Sequence, residues 1–317
     1  MTGAGGPAGV SVLKSLRADP SVTLIAADVD PWAAGLYLVE PAARTLIPAG
    51  LAAGFADALM RRCTAMGVDV VIPTVDAELG PIAAARDWFT EAGAELLIAP
   101  QRALGLTLDR LVLAQCCADV VRVPRTESLA GTDPSSWAYP VIVRLRTGSG
   151  SCDVSLVRSA GELASMAGAE NFIAQEFLPG PEYSIDVLAD RRGQVIAAVP
   201  RLREKVDRGV CMAGRTVRDR ELEQFGATVF RRTGLTYIAS VRCRRDRAGR
   251  PALLEASPCA PAGLPLTVAS GVDMPRLALD SLRRRKIPGQ VDFREIAMVR
   301  FLDERFLDFG EVRRLAA

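Results

Sequence analysis

The sequence contains no histidine, and it has only three lysines, Lys14, Lys205 and Lys286. The absence of histidine excludes Ser-His-Asp and Cys-His catalysis, and it excludes every metal site with a histidine ligand. Proton transfer would therefore depend on a carboxylate, a cysteine or the substrate itself. Arginine carries nearly all of the positive charge.

Long apolar runs are also lacking. No stretch approaches the length that spans a bilayer, and the N-terminus has no secretory signal pattern. The seven cysteines are scattered and no CxxC motif occurs, so we expect reduced thiols. These features predict a cytoplasmic protein without a membrane partner. The net charge of +2 neither favours nor excludes an anionic partner.

The first third of the chain alternates between apolar strands and a helical pattern. Strands are predicted over 22–28, 68–73 and 94–100, and a helix is predicted over 78–93. Because such alternation is typical of a parallel sheet covered by helices, we expect a Rossmann-like α/β domain over residues 1–105. A strand should precede the first glycines, but only two residues stand there. We expect that strand to be missing from this chain or encoded upstream of it.

The pattern changes after residue 105. A helix is predicted over 108–120 and another over 220–234. Strands are predicted over 193–200, 236–244, 251–257 and 295–302, and pairs of strands joined by a turn are predicted over 139–157 and 171–190. Hairpins of this kind predict an α+β domain with an antiparallel sheet over residues 106–286, followed by a C-terminal extension over 287–317.

The opening TGAGGPAG places glycines three residues apart ahead of a helical pattern. It fits the T-G-x-x-G-x-x-G pattern of short-chain dehydrogenases, and Asp28 ends the next predicted strand as in NAD(P)-binding folds. Those enzymes also need a tyrosine with a lysine four residues later, which lowers the pKa of the phenol. None of the four tyrosines has such a lysine. The pattern therefore favours a glycine-rich turn without a cofactor, and NAD(P) binding stays an alternative.

Three other stretches combine glycine or charge with a turn. RTGSGS (146–151) is a loop between two predicted strands whose backbone N–H groups suit an anion. QEFLPGPE (175–182) places a glutamate on each side of a tight turn. RRRK (283–286) follows a helical pattern and is typical of a solvated helix end, so we expect no nucleic-acid partner.

In order along the chain, these stretches resemble the ATP-grasp superfamily, in particular the group similar to the carbamoyl-phosphate synthase large chain. The resemblance runs from Gly3 to about Leu282, and it rests on TGAGGPAG, Asp109-Arg110, VIVRLRTGSGS, QEFLPGPEYSIDVL, GRTVRD, LLEASP and GLPLTVASGV. It implies a Rossmann-like pre-ATP-grasp domain followed by a two-lobed ATP-grasp domain that clamps ATP. It also implies phosphorylation of a small carboxylate, followed by attack of an amine or similar nucleophile on the acylphosphate.

The resemblance also implies which residues hold the nucleotide. Arg110 and Arg144 match the two cations on the phosphates, and the loop of Gly148, Ser149, Gly150 and Ser151 matches the one that covers them. The side chain of Glu176 and the backbone of Leu178 match the adenine contacts, and Glu182 matches the acid on the ribose.

The predicted metal site departs from the family pattern. Family members read roughly Asn-Val-Gln on the penultimate strand and Glu-x-Asn-Pro-Arg on the last strand, with Gln, Glu and Asn holding Mg²⁺. Here Glu255 is kept, Ser257 replaces Asn, Cys259 replaces Arg, and Arg242 stands at the Gln position. A guanidinium has no acceptor for a metal, whereas Arg242 has the charge to pair with Glu255 or with phosphate. The resemblance thus leaves Glu255 and Ser257 as the metal candidates, within a degenerate site.

Three hypotheses remain open at this stage. The first is an ATP-dependent carboxylate–amine ligase that uses ATP and Mg²⁺. The second is an ATP-grasp pseudoenzyme that binds nucleotide without turnover and acts through a partner, either another protein or a second copy of the chain. The third is an NAD(P)-type binding protein. The sequence identifies neither the carboxylate nor the nucleophile.

Overall fold

The computed structural model describes residues 1–148, 154–166 and 168–316, and it has a mixed α/β fold. None of the described helices is both long enough and apolar enough to span a membrane. The elements up to residue 107 are α1 (Pro7–Leu16), β1 (Ala26–Asp28), β2 (Arg44–Leu46), α2 (Phe55–Ala65), β3 (Val70–Val71), α3 (Asp76–Ala84), α4 (Arg86–Glu91), β4 (Glu95–Leu96) and α5 (Gln101–Thr107).

The strands of this first region are shorter than predicted, but they pair in parallel as expected. β1 pairs with β2, and β3 pairs with β4. The backbone of Met1 and Thr2 lies between the two pairs, because Ala27 N–H donates to Met1 O (2.9 Å) and Thr2 N–H donates to Ile72 O (3.1 Å). The two residues ahead of Gly3 thus make strand-like hydrogen bonds on both sides.

The prediction of a single helix over 78–93 is wrong. The structure has two helices there, α3 and α4, and Ala85 between them leaves the helical conformation with φ −96° and ψ 13°. Pro81 lies inside α3 and cannot donate a backbone hydrogen bond, which weakens the helix just ahead of the break.

The remaining elements form two antiparallel sheets and the helices that cover them. They are α6 (Arg110–Cys117), β5 (Thr126–Ser128), β6 (Val141–Leu145), β7 (Val154–Val157), α7 (Ala160–Ser165), β8 (Phe172–Glu176), β9 (Glu182–Ala189), β10 (Val195–Asp207), β11 (Val210–Thr216), α8 (Arg220–Thr233), β12 (Ile238–Arg245), β13 (Pro251–Ser257), α9 (Leu264–Ala269), α10 (Met274–Leu282), β14 (Ala297–Val299) and α11 (Phe309–Ala316). The predicted antiparallel pairing is confirmed.

A four-stranded sheet has the order β5-β8-β6-β7, and a six-stranded sheet has the order β13-β12-β9-β10-β11-β14. One face of the larger sheet packs on α8, where Phe225 and Phe230 join Ile185 and Val241 in the core. Its other face packs on α9 and α10 through residues such as Leu264. With helices on both faces, the larger sheet holds the side chains at its strand ends in fixed positions.

The strand predicted over 193–200 ends too early, because β10 continues past Pro200 to Asp207. Proline usually ends a central strand, since it has no N–H to donate. Here β10 changes its main partner near Pro200: residues 195–202 pair with β9, whereas residues 201–207 pair with β11. β11 was not predicted as a strand, and its hairpin with β10 forms one wall of the central cleft.

The C-terminal segment connects the two regions. β14 pairs with β11 at the edge of the six-stranded sheet. α11 then packs against the first region, where Val312 contacts the core around Leu36 and Glu311 forms an ion pair with Arg44 at 2.8 Å.

Candidate functional site

A cavity of about 740 Å³ lies where the first region meets the ends of the six-stranded sheet. The β10–β11 hairpin and the ends of β12 and β13 form one side, and the start of α3 and the glycine-rich loop form the other. Arginine side chains reach it from the sheet side, and Asp76 reaches it from the other side. The cleft is large enough for a nucleotide-sized ligand.

Glu255 lies in this cleft and contacts three arginines. Its Oε2 atom accepts from Arg110 at 2.9 Å and from Arg144 at 2.5 Å, and its Oε1 atom lies 2.9 Å from Nη1 of Arg242. Arg242 and Glu255 face each other in the register of β12 and β13, Arg110 begins α6, and Arg144 lies on β6. Three separate elements therefore converge on one carboxylate.

The three arginines determine the charge state of Glu255. Burial alone would raise its pKa, but Arg242, Arg144 and Arg110 together hold the pKa well below its usual range. Burial lowers the pKa of Arg144. Glu255 and Arg144 both stay ionised near neutral pH. The three guanidiniums and the one carboxylate therefore carry two net positive charges.

Glu182 forms a second cluster beside the first. Its Oε1 atom lies 2.9 Å from Nε of Arg203 and 3.6 Å from Nε of Arg242, and its Oε2 atom lies 3.4 Å from Nε of Arg244. Burial and the neighbouring Arg242 lower the pKa of Arg203 to about 10, so this group also stays charged near neutral pH. Arg242 joins both clusters. We call the set of Arg110, Arg144, Arg203, Arg242, Arg244, Glu182 and Glu255 the arginine cluster, and its net charge is three positive units.

The two residues predicted to contact adenine lie outside this cluster. The carboxylate of Glu176 accepts two hydrogen bonds from Nη2 of Arg122, at 2.7 and 2.8 Å, and one from the backbone of Arg125. The side chain of Leu178 is buried, and its backbone carbonyl accepts from Nη1 of Arg244 at 3.0 Å. The Glu176 carboxylate and the Leu178 carbonyl are therefore already hydrogen-bonded to arginines of the chain itself.

The glycine-rich hairpin predicted to cover the phosphates begins next to Arg110. The backbone N–H of Arg110 donates to Arg146 O at 3.0 Å, and the side chain of Arg146 donates to Asp109 at 2.8 Å. Gly148 lines the cleft with φ +101°, a backbone conformation that favours glycine. The other three predicted residues, Ser149, Gly150 and Ser151, lie outside the described residues.

Ser257 and Cys259 follow Glu255 along the chain and contact Asp76 across the cleft. The hydroxyl of Ser257 donates to Asp76 Oδ1 at 3.4 Å, and the thiol of Cys259 donates to the same oxygen at 3.3 Å. Burial raises the pKa of Asp76, and burial together with Asp76 raises the pKa of the Cys259 thiol. Cys259 is therefore a neutral thiol near neutral pH.

The glycine-rich opening also lines the cleft, but Asp28, the acid that follows it, is hydrogen-bonded to the backbone of the same region. Asp28 accepts hydrogen bonds from the backbone N–H groups of Gly5, Val29 and Asp30, at 2.7, 2.8 and 3.1 Å. A side chain at Gly9 would meet the carbonyl oxygen of Gly3 at 2.1 Å, so this glycine allows a close approach of the backbone to itself. The arrangement explains the glycine spacing without a dinucleotide.

The groups around Glu255 do not fit Mg²⁺, the ion that the fold family implies. Magnesium requires a near-octahedral shell of oxygen ligands. Both oxygens of Glu255 pair with guanidiniums, and the neighbouring Arg242 has no acceptor atom. A metal at Glu255 would have to displace these charge-assisted hydrogen bonds.

Several residues of the cleft were not singled out from the sequence. Asp76 follows a predicted strand, a position from which side chains reach the edge of a parallel sheet, and this signal could have identified it. Arg203 and Arg244 carry no such signal. They meet only because β10 and β12 both pair with β9.

Comparison with known proteins agrees with this architecture. Residues 168–304 match a family described as ATP-grasp in the biosynthetic pathway with Ter operon. No curated protein matches the sequence.

Several solved structures have a similar fold. N5-carboxyaminoimidazole synthetase from Staphylococcus aureus, complexed with ADP, is 15% identical with a TM-score of 0.70, over 92% of this chain and 78% of that chain. L-amino acid ligase from Bacillus licheniformis is 15% identical with a TM-score of 0.66, over 86% and 71%. Pyruvate carboxylase from Rhizobium etli is 16% identical with a TM-score of 0.70, over 87% of this chain but only 28% of that longer chain. These structures share the fold of this chain, and within that fold residues 168–304 match an ATP-grasp family.

Proposed function

We propose that this chain binds the phosphate groups of ATP at the arginine cluster and uses ATP to activate a small carboxylate for attack by an amine. The observation that carries the proposal is the convergence of five arginines on two glutamates beside the cleft, which leaves the cluster with three net positive charges. Such a concentration of guanidiniums suits a polyphosphate, because each planar group donates two parallel hydrogen bonds.

The superfamily relatives support the chemistry of the proposal. One similar protein is complexed with ADP and another is an L-amino acid ligase. In a reaction that passes through an acylphosphate, negative charge on the transferred group must be stabilised. We propose that Arg110 and Arg144, which both pair with Glu255, supply that stabilisation. The lining of the same cleft includes Asp76 and the β10–β11 hairpin, and we propose that the carboxylate and the amine bind on this side.

The domain assignment is part of the same proposal. Residues 1–105 correspond to a Rossmann-like pre-ATP-grasp domain, residues 106–286 to the ATP-grasp domain, and residues 287–317 to an extension. The parallel pairs β1–β2 and β3–β4 support the first of these, and the two antiparallel sheets support the second. The group similar to the carbamoyl-phosphate synthase large chain remains our interpretation of the motifs.

Nucleotide binding without turnover is a second candidate, favoured by Cys259. The family resemblance implies an arginine at this position, on the transferred phosphoryl group. A neutral thiol that donates to Asp76 supplies no positive charge there. In this alternative, the arginine cluster binds the nucleotide and the chain acts through a partner.

One experiment separates the two candidates. ATP binding is measured by calorimetry, and phosphate release is then measured with ATP and mixtures of small carboxylates and amines. Arg144→Gln should weaken ATP binding about tenfold or more, because it removes a charge-assisted contact. Arg250→Gln is the matched control, since its side chain is 64% exposed at the far end of the β12–β13 hairpin.

The outcomes are distinct. Binding with phosphate release that depends on both additions supports the ligase, whereas binding without release supports the second candidate. Absence of ATP binding by the wild-type chain would contradict both.

A further inference from the structure

We infer that Arg242 takes the place of a divalent cation in the phosphate site, so that nucleotide binding does not require Mg²⁺. The inference rests on the proposed nucleotide site, and it assigns to one side chain a task that ATP-grasp proteins give to a metal.

The position of Arg242 is the first argument. Its guanidinium lies between two carboxylates, with Nη1 2.9 Å from Glu255 Oε1 and Nε 3.6 Å from Glu182 Oε1. Those two glutamates are the residues predicted to hold a metal and the ribose. The guanidinium of Arg242 thus lies between the predicted metal position and the predicted ribose position. The register of β12 and β13 places it there, because Arg242 is directly opposite Glu255.

Charge is the second argument. Arg110, Arg144 and Arg242 carry three positive charges and Glu255 carries one negative charge. The surplus of two equals the charge of one Mg²⁺ ion. The group therefore attracts a polyphosphate through N–H donors in place of an open coordination shell.

Competition for Glu255 is the third argument. A metal ion would need a carboxylate oxygen that is free to coordinate, and each oxygen of Glu255 is already paired with a guanidinium. The neighbouring Ser257 hydroxyl donates to Asp76. Because Arg242 is only 21% exposed and is held by two carboxylates, a metal at Glu255 would have to break an ion pair that is largely shielded from solvent.

The test compares ligand binding with EDTA and with MgCl₂ by calorimetry, using ATP and inorganic tripolyphosphate as probes. Tripolyphosphate isolates the phosphate site from the adenine contacts. The proteins are the wild-type chain, Arg242→Gln, Arg242→Lys and the exposed control Arg250→Gln. Arg242→Gln introduces the residue type that metal-dependent family members have at this position. Thermal unfolding of each variant shows whether it is folded.

We expect the wild-type chain and Arg250→Gln to bind both probes in EDTA, with equal or weaker affinity in MgCl₂. Arg242→Gln should lose about tenfold or more of its affinity in EDTA and regain it in MgCl₂. Arg242→Lys, which keeps the charge, should stay independent of Mg²⁺. Wild-type binding that requires MgCl₂ would overturn this inference while leaving the proposed function intact. Absence of binding by the wild-type chain to either probe in both buffers would overturn the proposed function and this inference together.

Discussion

Asp28 and Glu255 are two carboxylates that line the same cleft, and each is held by three donors. The donors to Asp28 are backbone N–H groups of Gly5, Val29 and Asp30, which are neutral. The donors to Glu255 are guanidiniums, which are charged. The first arrangement closes a loop, and its three N–H donors are all used by the carboxylate of Asp28. The second is part of a cluster of five arginines and two glutamates, which keeps a surplus of three positive charges.

The comparison shows which sequence motif indicates function. The glycine-rich opening is the more conspicuous motif, yet its carboxylate is satisfied by its own backbone. The arginines of the cluster are scattered between residues 110 and 244, and no short motif joins them. A ligand site is therefore better recognised from donors and charge left over after internal pairing than from glycine spacing alone.

Replacing Glu255 by Gln should have the largest effect on stability. The change leaves three partly buried guanidiniums without their shared carboxylate, at an expected cost of about 3 kcal/mol at neutral pH. Urea denaturation measures the loss, and saturating tripolyphosphate should restore part of it. Glu204→Gln, which breaks a half-exposed pair with Arg215, should change the unfolding free energy by less than about 0.5 kcal/mol.

The pH dependence of the same variant follows from the lowered pKa of Glu255. A group whose pKa is depressed in the folded state stabilises the protein above its unfolded pKa, and this contribution is lost as the pH falls toward the folded value. The difference between wild type and Glu255→Gln should therefore be full at neutral pH and shrink below the ordinary value of 4.5. An equal difference at all pH values would contradict the charge account.

Glu78 sharpens the comparison, because it is a buried carboxylate with a single hydroxyl donor, Thr2. Burial raises its pKa from 4.5 to about 7. A raised pKa stabilises the folded state at low pH, and this contribution is lost as the pH rises through about 7. Relative to wild type, Glu78→Gln should gain roughly 2 kcal/mol of stability between pH 5 and pH 8. Parallel pH profiles of the two unfolding free energies would refute the assignment.

Asp28→Asn should have the smallest effect of the three. Asparagine keeps one oxygen for Val29 and Asp30, but its amide nitrogen cannot accept from Gly5. The expected loss is about 1 kcal/mol in the unfolding free energy, with unchanged affinity for tripolyphosphate. If this variant weakened phosphate binding as much as Arg144→Gln does, the contrast between the two carboxylates would fail.

Much of the sheet that carries the site could be predicted from the sequence. The strand predictions are confirmed for the apolar runs that form β9, β12 and β13 and for the run that forms β6, ahead of the glycine-rich stretch. The extension of β10 past Pro200 could not be predicted, because it depends on a change of pairing partner within one strand.

The site was predictable to a similar extent. A contact between Arg242 and Glu255 was a reasonable expectation, since the two residues lie on the last two strands of the predicted sheet. The roles of Arg203 and Arg244 depend on the register of three strands, and the pairing of Arg122 with Glu176 depends on how the helix-to-strand connection packs beside β8. Residue types and spacing alone do not contain these contacts.

Crystallography of the chain with a non-hydrolysable ATP analogue and MnCl₂ tests the central claim most directly. Manganese occupies magnesium sites and is located by its anomalous scattering. The account predicts that the phosphates contact Arg110, Arg144 and Arg242, with no manganese signal at Glu255. A manganese ion coordinated by Glu255, with Arg242 displaced from it, would contradict the account.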